Sequence, residues 1–94
     1  MKTIIVTRHP ALAEYLRRHG YTEGAPEVRE HVTAEEVRGC HVIGVLPLHL
    51  AAEAASVTEV PLALTPDMRG RELTLEELER VAGRPRRYVV RVVP

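Results

Sequence analysis

Two strand-like runs, each followed within three residues by a proline and then a helical pattern, constrain the fold of this chain most. Residues 2–7 hold a continuous β-branched run and residues 41–46 an apolar one, as in strands covered on both faces. Pro10 and Pro47 follow these runs, and proline is favoured where a helix begins. Strands that alternate with helices favour right-handed crossovers between parallel strands. The sequence therefore predicts an α/β fold with a mostly parallel sheet.

Helical signals recur along the rest of the chain. Apolar spacing predicts a helix over residues 10–19, stopped by Gly20. Thr33 and Thr74 each begin a Thr-x-x-Glu capping box, which predicts a brief helix ending near residue 39 and a longer one ending near residue 83. The Ala-rich residues 48–56 are also good helix formers.

Short apolar segments between these helices predict the remaining strands. They lie at residues 28–32, 60–64 and 88–93, with a turn at 57–59 and a loop at 65–71. We therefore predict a single Rossmann-like domain over residues 1–94. It has a sheet of about five strands, with helices on both faces.

Charge and cysteine content exclude several classes of function. The chain has 13 basic and 13 acidic residues, so it lacks the basic field of a protein that tracks long nucleic acid. Cys40 is the single cysteine, which excludes an intrachain disulfide and is typical of a small buried residue. No run approaches the roughly 18 apolar residues of a membrane helix, and no signal-peptide pattern is present. We expect a soluble cytoplasmic protein without a membrane partner.

Two histidines are predicted to lie in the first turn of helices that follow strands. His9 comes after Thr7 and Arg8, and His49 comes after the strand that ends near Leu46. In open α/β sheets, ligands bind beyond the carboxyl ends of strands, where helix N-termini offer N–H groups to anions. We therefore predict a phosphate-bearing ligand, held by Arg8, with His9 or His49 as general acid or base. The alternative is that both histidines only cap helices or fill space.

Other residues at strand ends are weaker candidates for the same site. Arg69 and Arg71 flank a glycine and could clamp phosphates, although a solvated loop is the alternative. Gly44 would allow close approach of a ligand or of backbone, and a bulge or plain packing explains it equally well. The basic residues 84–87 are interpreted as a solvated connection rather than an RNA-binding patch. His31 and His41 lack the spacing of metal ligands.

The distribution of carboxylates bears on the chemistry. No cluster of Asp and Glu follows the predicted strands to hold two Mg²⁺ ions, so we predict a metal-independent reaction that needs no cofactor. In RNA the 2′-hydroxyl can act as an internal nucleophile, if a protein orients it and stabilises the charged phosphate. A 2′,3′-cyclic phosphate would then be the product.

Three segments resemble the motifs of a small CRISPR-associated accessory family of type III loci. They are residues 6–10 (VTRHP), 43–53 (IGVLPLHLAAE) and 69–73 (RGREL), similar to the family's VTRHPGA, VIGTLPVHLAAE and RGREL. The resemblance covers most of the chain in order. It implies a Rossmann-like homodimer that binds cyclic tetra- or hexa-adenylate, the second messenger of type III immunity. As a ring nuclease it would linearise the messenger and switch off the antiviral signal.

The family motifs can be carried over position by position. They fall on Thr7, Arg8 and His9, on Leu46, Pro47 and His49, and on Arg69 and Arg71. The chain departs from the family where Val45 replaces a frequent Thr, and where residues 62–67 differ from a Leu-Ser-Leu-Asp pattern. Two further hypotheses stay open. One is a non-catalytic module that sequesters the messenger, and the other is a structural subunit without nucleotide affinity.

Overall fold

A computed structural model describes residues 1–94 as strands and helices in alternation. The strands are β1 (Thr3–Val6), β2 (Glu27–Arg29), β3 (His41–Gly44), β4 (Ser56–Glu59) and β5 (Arg86–Tyr88). The helices are α1 (Ala11–Arg18), α2 (Ala34–Val37), α3 (Leu48–Ala51) and α4 (Leu75–Val81), with a single 3₁₀ turn at Pro66–Met68. With the longest helix at eight residues, none could span a bilayer.

The five strands form one sheet in the order β2-β1-β3-β4-β5. Strands β1 to β4 are parallel, and β5 runs antiparallel to β4 at the edge. The predicted α/β class and mostly parallel sheet of five strands are therefore confirmed. The chain builds outward from β1 to β2, then crosses back to place β3 on the other side of β1. The strand order thus reverses between β1 and β3, where doubly wound folds bind ligands.

Helices cover both faces of the sheet, as predicted. Alternate residues of β1 serve opposite faces, so that Ile5 packs with α1 and α4 while Ile4 packs with α2 and α3. Ile43 and Val42 of β3 divide in the same way. Both neighbours in β1 are almost fully buried, which explains why this strand has no polar side.

Local sequence signals set most of the helix ends. The capping boxes begin α2 and α4, since Thr33 and Thr74 each accept a hydrogen bond from the N–H three residues on, and that glutamate returns one. Pro10 has helical dihedral angles, so α1 begins beside His9 as expected. Gly20, at φ +74°, takes the left-handed conformation that ends α1.

Three sequence predictions fail around β4 and β5. The strand predicted at 60–64 lies at Ser56–Glu59, which includes the predicted turn, because His41 to Ile43 of β3 pair with residues 56–58. The predicted helix over 48–56 ends at Ala51, since the chain must return to the sheet by Ser56. The strand predicted at 88–93 lies at Arg86–Tyr88, because β4 offers partners only to those residues. Burial and pairing here override the apolar composition of the valine-rich end.

Candidate functional site

A cavity of about 560 Å³ opens at the carboxyl ends of the four parallel strands. Each strand contributes the loop that follows it, and the reversal of strand order between β1 and β3 lies at its centre. Residues of the 3₁₀ turn and the loop before α4 close one side. A cavity of this size at this position is where an α/β sheet is expected to bind a ligand. The residues that line it include Thr7, Arg8, His9, Glu30, His31, Gly44, Leu46, Arg69 and Arg71.

Gly44 allows β3 to lie close to β1 beneath this cavity. Its φ is +145°, and a Cβ atom added there would lie 2.1 Å from the carbonyl oxygen of Val6. No real side chain tolerates such an approach to backbone. Of the alternatives raised by the sequence, close approach of backbone is the one that the geometry requires. Gly44 still lines the cavity, so a ligand would meet its main chain.

The side chain of Thr7 holds the loop after β1 in place. The Thr7 hydroxyl accepts a hydrogen bond from the His9 N–H at 2.9 Å, and the Thr7 N–H donates to Arg29 at 2.9 Å. Pro10 has no N–H, and the main-chain N–H groups of Arg8 and Ala11 make no hydrogen bond within the chain. These two amides at the start of α1 are free to donate to an anion.

His9 reaches across the cavity edge to the loop before α4. Its Nδ1 accepts a hydrogen bond from the Leu73 N–H at 3.1 Å. A ring nitrogen that accepts carries no proton, so the neutral ring holds its proton on Nε2. Nε2 has no partner within the chain, and it can therefore donate to a ligand. A general-base role would require the opposite arrangement, with Nε2 bare.

The two arginines of the Arg-Gly-Arg segment differ in their surroundings. Arg71 donates to both carboxylate oxygens of Glu77, with Nη1 at 2.9 Å from Oε1, and its Nε lies 3.0 Å from the Asp67 carbonyl oxygen. Hydrogen bonds from Arg71, followed by the Thr74 N–H, lower the pKa of Glu77 to about 2. The side chain of Arg69, like that of Arg8, is exposed at the cavity and has no hydrogen bond or ion pair. Arg8 and Arg69 are therefore the cations available to a ligand.

His49 does not share the cavity with the other predicted residues. It lies exposed on α3, whereas Leu46, Pro47 and Leu50 line the cavity. Because successive helical residues point about 100° apart, a helix that turns Leu50 toward the cavity turns His49 away. The structure thus brings together the predicted residues that follow β1, β3 and β4 without this histidine.

Sequence reasoning missed the loop after β2 and the apolar floor. Glu30 and His31 line the cavity and are exposed, and Leu12, Val60 and Met68 form buried parts of its wall. The first pair was missed because the strand predicted at 28–32 contains both residues, whereas β2 ends at Arg29 and leaves them in the loop that follows it. The wall residues have no local signal that separates them from other core residues.

A second polar cluster lies on the sheet at the amino ends of the strands. His41 Nδ1 lies 2.6 Å from the Ser56 hydroxyl, and its Nε2 lies 3.1 Å from the Thr58 hydroxyl. Arg87 donates to Ser56 through Nε and Nη2, at 3.2 and 3.1 Å. Burial, and then the charge of Arg87, lower the pKa of His41. These groups satisfy one another, and they join β5 to the rest of the sheet.

Neither region gathers the ligands of a metal site. No group of three or more His, Cys, Asp or Glu residues lies close enough together to hold an ion. Cys40 is buried, as predicted, with its thiol directed to the carbonyl oxygen of Glu36 at 3.4 Å.

Residues 4–91 match the model of a family described as "Putative CRISPR-associated protein (Cas_VVA1548)". No curated protein and no solved structure matches the chain. The matched region contains every residue that lines the cavity.

Proposed function

The chain belongs to this CRISPR-associated family, and on that premise we propose that it is a cytoplasmic ring nuclease of type III systems. It binds cyclic oligoadenylate at the cavity and linearises it without a metal ion, which ends the antiviral signal. The observation that carries the proposal is the pair of arginines, Arg8 and Arg69, that lie without a carboxylate partner at the cavity. Guanidinium forks suit the oxygen pairs of a phosphate.

The cavity wall supports a nucleotide rather than a simple anion. Half of the lining residues are hydrophobic, 10 of 20, which gives adenine faces an apolar surface. The free amide of Arg8 adds a donor for a phosphate oxygen beside the Arg8 guanidinium. Phosphate and base would thus be recognised by different parts of one cavity.

Ligand size supports a twofold assembly. A cavity of roughly 300–1,000 Å³ typically holds one drug-sized ligand. A cyclic tetra-adenylate, with its four nucleotides, is larger than such a ligand. Its rotational symmetry allows two copies of the chain to hold one ring. We therefore include a homodimer in the proposal, with a twofold axis through the ligand.

The proposed reaction uses the side chains at the cavity to stabilise phosphate charge. A ribose 2′-oxygen attacks the adjacent phosphorus, forming the O2′–P bond while the P–O5′ bond breaks. The proton lost from the 2′-hydroxyl passes to water, and the departing 5′-oxygen takes one up. Arg8, Arg69 and the His9 Nε2–H stabilise the charge that grows on the phosphate oxygens. The products are a 2′,3′-cyclic phosphate and a 5′-hydroxyl.

One observation favours a second candidate function. Since the Leu73 N–H occupies His9 Nδ1, His9 lacks the bare Nε2 that a general base needs. A cavity with cations and a donor but no histidine base at this position suits binding without turnover. The second candidate is therefore a module that sequesters the messenger.

The test is incubation of the purified protein with cyclic tetra-adenylate and cyclic hexa-adenylate in EDTA, with products analysed by chromatography and mass spectrometry. Linear products that end in a 2′,3′-cyclic phosphate would support the ring nuclease. Intact ligand that stays bound would support sequestration instead. Absence of both binding and cleavage would reject a messenger-handling role.

A further inference from the structure

We propose that Arg71 is a positioning residue: paired with Glu77, it fixes the loop before α4 so that the Leu73 N–H keeps His9 in the Nε2–H form. The importance of this arrangement for turnover rests on the proposed function, whereas the arrangement itself does not. In this proposal, Arg69 of the Arg-Gly-Arg segment contacts the ligand, and Arg71 holds the loop in place.

The loop between residues 65 and 73 has little regular structure of its own. It contains one 3₁₀ turn and is fixed by two buried side chains, Met68 at 7% and Leu73 at 2% exposure. Arg71 lies between these anchors. Its guanidinium bonds to the carbonyl oxygens of Asp67 and Glu72, at 3.0 and 3.4 Å, and so ties both sides of the loop together.

Glu77 can hold Arg71 in place because the position of its own carboxylate is fixed. Its side chain is only 14% exposed, and it accepts hydrogen bonds from the Thr74 N–H at 3.0 Å as well as from Arg71. The capping box therefore holds the carboxylate at a fixed place at the start of α4. A bidentate pair then sets the orientation of the guanidinium, which a single contact would not.

The guanidinium nitrogens of Arg71, which would bind a phosphate, already donate hydrogen bonds within the chain. Nε, Nη1 and Nη2 all donate to acceptors of the chain. One N–H of Nη2 is left for a phosphate oxygen, and a bidentate contact through Nη1 and Nη2 would require displacement of the Glu77 carboxylate. Arg69, two residues before it, makes no such contact, so the ligand role falls to Arg69.

The loop in turn determines the state of His9. The Leu73 N–H lies two residues after Arg71 and meets Nδ1 at 3.1 Å, across 64 residues of sequence. A displaced loop would remove this donor, and the neutral ring could then carry its proton on either nitrogen. The Nε2–H that stabilises phosphate charge would be present in only part of the molecules.

Histidine nitrogen NMR on ¹⁵N-labelled protein tests the arrangement without any ligand. We expect His9 in the wild type to show a bare Nδ1 and a protonated Nε2, and Glu77→Gln to show a mixture of tautomers. Gln at this position preserves the capping box but removes the charge that orients Arg71. Glu76→Gln is the matched control in the same turn, since Glu76 makes no ion pair. A wild-type His9 protonated on Nδ1, or an unchanged tautomer in folded Glu77→Gln, would overturn the inference.

Arg71→Lys separates positioning from simple charge. Lysine keeps the charge but cannot reproduce the bidentate contact, so we expect the tautomer mixture to persist. With cyclic tetra-adenylate we expect turnover to fall roughly tenfold while the Kd changes less than about threefold, because Arg8 and Arg69 remain. A loss of affinity equal to that of Arg69→Ala would show instead that Arg71 binds the ligand. If the wild type cleaves nothing, the ring nuclease is rejected, and the NMR result still decides the positioning role.

Discussion

The two ends of the sheet carry similar polar residues but use them differently. At the amino ends of the strands, His41, Ser56 and Arg87 donate to and accept from one another. At the carboxyl ends, Arg8 and Arg69 have no partner in the chain. Ser56 is buried, and buried polar groups are normally satisfied within a protein, so the first arrangement serves the fold. Cations left unpaired beside a cavity are instead available for a ligand.

Gly44 should give the largest effect of any single change at either end. A Cβ there would lie 2.1 Å from the Val6 carbonyl at φ +145°, so Gly44→Ala must separate β1 from β3. We expect a loss on the order of 3 kcal/mol or more in the free energy of unfolding, measured with urea. Gly20→Ala is the control, since it has φ +74° but open space, and should cost about 1 kcal/mol. Equal losses would mean that close approach is not what requires Gly44.

The unpaired arginines should affect ligand binding without affecting stability. Each of Arg8→Ala and Arg69→Ala removes charge-assisted hydrogen bonds, so we expect affinity for cyclic tetra-adenylate to fall about 10- to 100-fold by calorimetry. Their melting temperatures should match the wild type. Arg18→Ala, which removes another exposed arginine without an ion pair, should bind normally. A comparable loss in that variant would indicate general charge attraction rather than a site.

Substitution of Ser56 should reduce stability without affecting ligand binding. Ser56 is 4% exposed and contacts both His41 and Arg87, so Ser56→Ala removes the partner that half-buried His41 Nδ1 and exposed Arg87 share. We expect a loss of about 1 kcal/mol in the free energy of unfolding. Ligand affinity, measured in parallel, should stay the same. Reduced affinity in a folded variant would mean that the two ends of the sheet are coupled.

Acid should weaken the amino end through His41. Burial and Arg87 lower its pKa below the ordinary 6.5, so the unfolded chain takes up this proton at a higher pH than the folded one. Stability therefore falls as the pH drops through about 6.5. We expect the melting temperature to decrease by a few degrees between pH 7.5 and 5.5, and less so in His41→Gln. An identical decrease in the variant would assign the effect to other groups.

Local signals in the sequence predicted the core of the fold. The apolar runs of β1 and β3 and the capping boxes at Thr33 and Thr74 depend on nearby residues alone, and all four are confirmed. Strand β4 was missed because its Ser56 and Thr58 are polar residues. They are accommodated by His41 and Arg87, which come from distant parts of the chain.

The sequence predicted where the candidate site lies, but not what each of its residues contacts. Strand ends located Arg8, His9 and Arg69 at one cavity. The hydrogen bonds of His9 to Leu73 and of Arg71 to Glu77 join residues that no spacing rule connects. The position of His49 depends on which side of a four-residue helix faces the cavity. Such contacts become visible only once the loops are placed.

The cavity is bounded by four separate connections on a sheet whose strands are fixed by the core. Loops on such a scaffold accept substitutions and changes of length more readily than buried strands do. The loops after β2 and β3 can therefore each be randomised alone in a directed-evolution experiment. Libraries in residues 30–32 and 45–46 would search for new ligand preferences on two sides of one cavity, whereas residues 62–64 are held at the end of α4 by the Ala63 N–H, 2.9 Å from the Val81 carbonyl oxygen. The fold is in this sense a small evolvable scaffold of 94 residues.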